Sequence, residues 1–232
     1  MKYESFATLH RVTRIFPGPE PVYALNDVSL HLARGAFVLL EGPSGSGKTT
    51  LLGILGALDR PTSGRVTVDG VEIADRNASW LTAFRRRRVG FVFQDFRLLE
   101  SLTAEENVAL ALWLGGCRGS EATRRAAALL EQLGLDGRRH RRPVQLSAGE
   151  RQRVAIARAT VDHRPLLLAD EPTANLDTAS GQEVARLLRT LVEEEGVTVV
   201  VASHDWRLEA FADSVIRLED GAVVKEEERS CG

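Results

Sequence analysis

A glycine-rich segment at residues 42–50 has the composition and spacing of a phosphate-binding loop. Its glycines let consecutive backbone N–H groups turn around phosphate oxygens, and a helix that starts within it points its positive end at the same anion. Lys48 would place a positive charge near the β- and γ-phosphates of a nucleotide, and the Thr49 hydroxyl would ligate Mg²⁺. A turn without ligand is the alternative, but the complete pattern lies between a predicted strand and a predicted helix. The candidate nucleotide-binding residues are Gly42, Pro43, Ser44, Gly45, Ser46, Gly47, Lys48, Thr49 and Thr50.

A second segment, LLLADE at residues 166–171, ends an apolar run with two adjacent carboxylates. Such a pair at the end of a buried strand is unfavourable unless a cation lies beside it. Asp170 is therefore a candidate for holding Mg²⁺, mostly through water. Glu171 is a candidate catalytic base that polarises the water attacking the γ-phosphate. Alone, the pair could simply mark where a strand reaches the surface, but the phosphate-binding segment favours the catalytic interpretation.

A third segment, LSAGERQRVAIARA at residues 146–159, starts a predicted amphipathic helix. Ser147 caps the first turn, and Gly149 gives it flexibility. A helix start is another place for an anion, yet residues 42–49 already supply a site for the phosphates. The residues alone leave open whether this segment is only an ordinary capped helix.

A larger framework must position these segments. Alternating apolar and polar residues in 1–35 predict half-buried strands, interrupted by a proline-rich loop at 17–21. Apolar runs without alternation predict a parallel sheet covered on both faces, and a helical lobe is expected between Thr103 and Val161. The other predicted elements are strands at 36–40, 89–93, 166–169 and 197–202, helices at 49–58 and 178–195, and hairpins at 66–71 and 215–224.

Composition narrows the functional classes. The 232 residues are 44% hydrophobic, enough for a substantial core, and the net charge of −2 gives no general attraction to nucleic acid. Cys117 and Cys231 form neither a disulfide framework nor a metal-binding pattern, which fits a reducing cytosol; Cys231 is expected in a frayed tail. No signal peptide and no uncharged apolar run of about 18 residues is found, so we expect a soluble chain.

The segment at 146–159 closely resembles the ABC signature motif, usually Leu-Ser-Gly-Gly-Gln followed by a helix. This resemblance implies an ABC ATPase, in which the signature of one subunit covers the γ-phosphate bound to another, so that ATP holds a head-to-tail dimer together. Ser147, Gly149 and Glu150 would then be nucleotide-binding residues. Two positions depart from the pattern: Ala148 replaces the first glycine, and Glu150 replaces glutamine. We expect Ala148 to be tolerated with a weaker composite site, because the resemblance makes Ser147 and Gly149 the positions whose backbone faces the phosphate.

Further elements of the same family follow in order. Gln94 resembles the glutamine that reaches Mg²⁺ and the attacking water, and His204 resembles the histidine that contacts the γ-phosphate. Asp177, within ANLD at residues 174–177, resembles the segment that crosses the dimer interface. Phe16 falls where the family places an aromatic residue against adenine, with Tyr23 as a rival candidate. Each of these side chains, taken alone, could be structural.

The family resemblance implies an α/β fold with three parts. These are a P-loop NTPase core with a parallel sheet, an N-terminal antiparallel β subdomain and an inserted helical subdomain. We expect one ABC ATPase domain over residues 1–232. Residues of about 1–95 and 162–232 would form the core with the β subdomain, and residues of about 96–161 would form the helical subdomain with the signature.

Within the family, ERQR at residues 150–153 looks most like the LolD-like, MacB-like and FtsE-like ATPases. That resemblance implies ATP and Mg²⁺ as ligands, and a homodimer or a heterodimer with a paralogue. It also implies a separate integral membrane permease subunit, of a four-helix type with an extracytoplasmic domain. The chain would then lie peripherally on the cytoplasmic face of the cell membrane.

Two other functions were weighed. A soluble ABC ATPase acting on DNA or the ribosome would carry a coiled-coil or zinc insertion or a second ATPase domain, and none is found in the sequence. The arginine runs at 85–88 and 138–142 could contact phosphate backbones, but such runs are usually solvated. If functional, the first run would lie near the membrane partner or anionic head groups. A scaffold without hydrolysis is disfavoured because the catalytic residue types are all present.

Overall fold

Ten strands and six α-helices make up the described part of the chain, which is residues 4–229 of a computed structural model. Cys231 lies outside the described residues. In chain order the elements are β1 (Ser5–Phe16), β2 (Val22–Ala33), β3 (Phe37–Glu41), α1 (Lys48–Leu55), β4 (Ser63–Val68), β5 (Val71–Glu72), α2 (Ala78–Arg88), β6 (Val89–Val92), α3 (Ala104–Gly115), α4 (Ser120–Gln132), α5 (Ala148–Thr160), β7 (Leu166–Asp170), α6 (Thr178–Glu195), β8 (Thr198–Ala202), β9 (Ser214–Glu219) and β10 (Ala222–Glu228).

The first two strands form an antiparallel hairpin that β4 and β5 extend to a four-stranded sheet, in the order β2-β1-β4-β5. Alternation explains the pairing. Val28, Leu30 and Leu32 are buried, whereas Ser29 and His31 between them are exposed. Because successive side chains of a strand point to opposite faces, one face of this sheet packs on the core. The predicted antiparallel β subdomain is confirmed.

A six-stranded sheet, ordered β10-β9-β3-β8-β7-β6, forms the centre of the molecule. All of its pairings are parallel except the edge pair of β9 with β10. Val38 and Leu40 of β3 belong to the core beneath α1, and Phe37 and Leu39 belong to the core beneath α6. The two covered faces explain why these strands are continuously apolar. The predicted α/β fold with a parallel sheet is therefore confirmed.

Three helices, α3 to α5, lie between β6 and β7 and share their own apolar core. Thr103 starts α3 with a capping box, and the buried side chain of Asn107 bonds to the carbonyls of Leu99, Leu102 and Thr103. Helix α5 also packs against β6 and α6. This helix therefore connects the helical layer to the central sheet.

The structure corrects two details. Helix α2 was not predicted, because only Leu81 and Phe84 of its residues are buried and its last turn is all arginine. Helix α1 ends at Leu55 rather than at residue 58, since Gly56 lies against the Phe91 ring and Ala57 has a φ of +55°. The other predicted central strands agree to within one residue at each end. Among residues 4–229, no helix is long and apolar enough to span a bilayer.

Gly90 offers a test of the packing between β6 and α5. A Cβ atom there would lie 2.4 Å from the carbonyl oxygen of Ala159, an atom of the backbone that cannot rotate away. We expect Gly90→Ala to lower the free energy of unfolding by about 1–3 kcal/mol, the range of core overpacking, measured from urea denaturation. Gly137→Ala is the control, because a Cβ atom there meets nothing within 4 Å. Equal denaturation midpoints for the two variants would contradict this account of the contact.

Candidate functional site

The loop from Gly42 to Gly47 connects β3 to α1 at the carboxyl edge of the central sheet. Two of its glycines are required by their conformation and by close neighbours. Gly42 has a φ of +147° and Gly47 a φ of +103°; added Cβ atoms would lie 2.1 Å from the Leu218 oxygen and 2.3 Å from the Ala24 oxygen. Only glycine lets the loop turn this tightly against β2 and β9.

Two polar side chains are held inside this loop. The Lys48 ammonium donates hydrogen bonds to the carbonyl oxygens of Gly42 at 2.7 Å and Pro43 at 2.9 Å. The hydroxyl of Ser46 is buried and has no hydrogen-bond partner among the described residues. An unpartnered hydroxyl and a folded-back cation are groups that an anion in the loop would satisfy. Sequence reasoning had included Ser46 only as part of the motif.

Thr49 and Asp170 join the start of α1 to the end of β7. The Thr49 hydroxyl lies 3.0 Å and 3.2 Å from the two carboxylate oxygens of Asp170. Burial raises the pKa of Asp170, and the Thr49 hydrogen bond opposes this effect. Thr49 and Asp170 therefore present hard oxygen ligands side by side, as the donor set for Mg²⁺ requires.

Glu171 has a φ of +47°, a left-handed conformation that is uncommon for a residue other than glycine. Its backbone N–H donates to the Ala202 oxygen at 2.8 Å. Its carboxylate accepts a hydrogen bond from the Ser203 hydroxyl at 2.9 Å and lies 2.9 Å from Nδ1 of His204. Ser203 is fully buried and was not identified from the sequence, although it directly precedes His204 at the end of an apolar strand.

A cavity of about 500 Å³ gathers most of the predicted site. It brings together the phosphate-binding loop, both carboxylates, Gln94 and His204. It also includes Val22 and Ala24, which sequence reasoning had missed because nothing marks an apolar strand start as a ligand contact. Its lining residues are Val22, Ala24, Gly42, Pro43, Ser44, Gly45, Ser46, Gly47, Lys48, Thr49, Thr50, Gln94, Asp170, Glu171 and His204.

The segment with Ser147, Gly149 and Glu150 does not line this cavity. Ser147 and Glu150 form a reciprocal capping box at the start of α5, and Arg138 donates to the Glu150 carboxylate at 2.8 Å. The backbone hydrogen bond from Ser147 is the main cause of the lowered pKa of Glu150. Gly149 is buried against Ser180, whose hydroxyl would lie 2.9 Å from an added Cβ atom.

Asp177 also does not line the cavity. It is the N-cap residue of α6. Its carboxylate accepts from the backbone N–H and the hydroxyl of Ser180, and the backbone bond is the main cause of its lowered pKa. Two residues earlier, Asn175 donates to the carbonyl oxygen of Gln94 at 2.9 Å. The segment before α6 is thus bonded to the edge of the nucleotide cavity.

Phe16 does not line the cavity but lies close to it in the hairpin, because it pairs with Val22, which does. Its ring is 40% exposed, and the Arg14 guanidinium lies 4.5 Å from the ring centroid. Tyr23 is 54% exposed and is likewise absent from the lining. The adenine contact predicted for Phe16 stays a prediction.

The two arginine runs are partly occupied by contacts within the chain. Arg88 pairs with Asp69, and Arg138 pairs with Glu150. In each run, therefore, at least one arginine is held by a carboxylate of the same chain.

Comparison with known proteins shows the family to which the chain belongs. The sequence model of the family described as "ABC transporter" matches residues 25–174, more than half of the chain. This chain belongs to the ABC transporter family. The match includes the phosphate-binding loop, the signature segment and both carboxylates.

Relatives extend the family match to almost the whole chain. MJ0796 of Methanocaldococcus jannaschii, an uncharacterised ABC transporter ATP-binding protein, is 46% identical over 224 residues, which cover 94% of this chain and 95% of that protein. The MacB macrolide export ATP-binding/permease protein of Syntrophobacter fumaroxidans is 46% identical over 211 residues, covering 90% of this chain and 30% of MacB. The chain therefore spans less than a third of that relative's length.

A solved structure agrees with the fold. The dimeric post-hydrolysis state of MJ0796 bound to ADP and Pi superposes with a TM-score of 0.90 at 43% identity, covering 97% of this chain and 99% of the other. The predicted fold and the predicted ATP-binding, ATP-hydrolysing function of an ABC transporter subunit are confirmed, as is the resemblance to the MacB-like branch. The alternative of an ABC ATPase acting on DNA or the ribosome is not favoured.

Lys48 supplies the first test of the nucleotide cavity. Among residues 4–229, Lys48 is the only lysine that lines this cavity. We therefore expect Lys48→Ala to lower ATP affinity by about tenfold or more, the equivalent of one charge-assisted contact. Equilibrium binding of a fluorescent ATP analogue measures the loss. Lys225→Ala is the matched control, since Lys225 lies exposed on β10 and outside the cavity. Equal affinity of the two variants would contradict the assignment of Lys48.

Proposed function

We propose that this chain is an ATPase subunit that dimerises around two Mg·ATP and uses that closure to drive a separate membrane subunit. One observation carries the proposal. The cavity holds the phosphate-binding loop, Asp170, Glu171 and His204, but the signature start at Ser147 lies outside it. The cavity already has the start of α1 on one side, and the start of α5 at Ser147 lies outside the cavity of its own chain. A second copy would bring its α5 start to the open side of that cavity as a further anion-binding helix end.

The dimer is proposed to be head to tail, formed by two copies or by one copy and a paralogue. Asp177 and the rest of residues 174–177 would lie at its interface. This segment borders a second cavity, which Glu171 and His204 line as well as the nucleotide cavity. The solved relative is described as a dimer in a post-hydrolysis state with ADP and Pi, which supports this arrangement for a chain of 43% identity.

Mg²⁺ is proposed to be held by Thr49 and Asp170, with Gln94 beside them. The Thr49 and Asp170 oxygens already lie within 3.2 Å of each other, and all three residues line the cavity. Such a cation would neutralise charge on the β- and γ-phosphates. It would also favour the ionised form of Asp170, whose pKa is raised by burial in the protein alone.

Catalysis by the chain's own residues would centre on Glu171. Its carboxylate is fixed by Ser203 and His204, so that it can orient and polarise a water molecule. Lys48 and His204 line the same cavity and would stabilise charge on the transferring phosphoryl group. Adenine would contact the hairpin that contains Phe16.

The membrane partner is proposed to be a permease subunit, of four-helix type with an extracytoplasmic domain. It would dock beside Gln94, where residues of about 96–161 meet the core formed by residues of about 1–95 and 162–232. Leu99, Trp113 and Leu114 are large apolar side chains exposed on this helical part. The MacB relative combines ATP-binding and permease functions in its name, which supports such a partner at the cytoplasmic face of the membrane.

Glu171→Gln tests the catalytic assignment. We expect ATP binding to persist while hydrolysis slows by about 10²-fold or more, because the amide cannot act as a base. An ATP-stabilised dimer should then accumulate on size exclusion chromatography. Glu194→Gln, an exposed position near the end of α6, is the control and should hydrolyse ATP at the parental rate. Parental hydrolysis by the Glu171 variant would remove that residue from its role.

The partner is tested by purifying tagged Glu171→Gln chain from its native membranes in gentle detergent with ATP. Mass spectrometry should identify a co-purifying membrane protein with four predicted helices and a large external domain. Lys48→Ala, purified in parallel, should recover less of it if the ATP-bound dimer is the form that closes on the partner. Recovery of ribosomal proteins or DNA-repair factors instead would leave the ATPase intact and overturn the proposed partner.

A further inference from the structure

Arg158 is a half-buried arginine of α5 that the nucleotide cavity does not include. Burial lowers the pKa of its guanidinium, and no carboxylate among residues 4–229 lies within ion-pair distance of it. A half-buried cation without a carboxylate partner needs other groups to satisfy those of its N–H donors that water does not reach. The acceptors of those N–H donors therefore indicate the structural role of Arg158.

The guanidinium binds backbone carbonyls of one loop. Nη2 donates to the Phe96 oxygen at 2.8 Å, and Nη1 donates to the Arg97 oxygen. Both acceptor residues are in the left-handed region, with φ of +59° for Phe96 and +45° for Arg97. A non-glycine residue in this region is strained and persists only where its surroundings hold it.

A second arginine of the same helix contacts the same loop. Arg151, two turns before Arg158, has its guanidinium carbon 5.2 Å from the centroid of the Phe96 ring. Residues 96–97 are therefore attached to α5 at two points along its length. The start of α5 is the signature segment, so one rigid helix connects that segment to this loop.

The loop begins at Gln94, which lines the nucleotide cavity. From the other side, Asn175 donates to the Gln94 backbone oxygen. Only Asp95 separates Gln94 from the two residues that Arg158 holds. The backbone around Gln94 is thus held by Asn175 at residue 94 itself and by Arg158 at residues 96–97.

We propose that Arg158 is a positioning residue for hydrolysis, which clamps residues 96–97 to α5 and thereby sets Gln94 in the nucleotide cavity. The inference rests on the proposed function of Gln94 beside Mg·ATP. Arg158 itself does not touch the nucleotide. Because Arg158 attaches residues 96–97 to α5, a movement of α5 would also move Gln94. The signature segment at the start of α5 and the Gln94 side chain would then change position together.

The experiment compares Arg158→Met and Arg158→Lys with a matched control, Arg125→Met. Arg125 also donates to a backbone oxygen, that of Val161, in the same helical layer but far from Gln94 in sequence. Each chain is measured for thermal stability, ATP affinity, kcat, KM, and hydrogen exchange of the amides at 95–97. Each is also combined with Gln94→Ala in a double-mutant cycle.

For Arg158→Met we expect faster amide exchange at residues 95–97, a fall in kcat of about tenfold or more, and a KM for ATP within about threefold of the parent. In the Arg158→Met chain, Gln94→Ala should lower kcat little further, because the Gln94 side chain is already displaced. Arg158→Lys, which keeps one cationic donor, should recover part of kcat. Arg125→Met should retain parental kcat, and Gln94→Ala should act on it at full strength.

Several results would overturn the inference. One is unchanged loop exchange in folded Arg158→Met; another is a kcat loss that simply multiplies with that of Gln94→Ala. If Arg158→Met does not fold, Arg158→Lys gives the same comparison. Failure of the proposed function would look different: Gln94→Ala would leave the parental kcat unchanged while Arg158→Met still released the loop.

Discussion

The parallel register of the central strands is the constraint on which the rest of the structure depends. Because β3, β8, β7 and β6 run in the same direction, their carboxyl ends meet at one edge. The phosphate-binding loop follows β3, and Gln94 follows β6. Asp170 is the last residue of β7, Glu171 comes directly after it, and His204 follows β8. Gly42 and His204, which are 162 positions apart in the chain, therefore share one cavity, as ligand-binding residues do in open parallel sheets.

Gathering these groups concentrates charge of both signs at that edge. Asp170 and Glu171 are adjacent carboxylates, and each is compensated by hydroxyl donors, from Thr49 and from Ser203. Lys48 is held by backbone carbonyls, so its charge stays available to an anion. An arrangement of this kind is poised for a negatively charged ligand together with a cation, since each would relieve what the protein alone leaves unbalanced.

The helical layer contacts the nucleotide site through the loop that begins at Gln94. Helix α5 carries the signature segment at one end, and its Arg158 side chain binds the loop that starts at Gln94. Asn175 binds the same loop from the segment before α6. Two segments outside the central sheet therefore hold the loop that begins at Gln94.

The phosphate-binding loop and the central strands could be predicted from residue types and their spacing. Gly47, Lys48 and Thr49 were identifiable because phosphate binding needs those residue types at fixed spacing, and the central strands because burial on both faces leaves continuous apolar runs. Helix α2 was missed because it buries only two side chains, so periodicity carried almost no signal there. Tertiary structure alone decided that Ser203 fixes Glu171, that the signature lies outside the cavity, and that Arg158 binds residues 96–97. Those contacts join segments far apart in the chain, and their geometry follows from how sheet and helices pack, which local sequence does not encode.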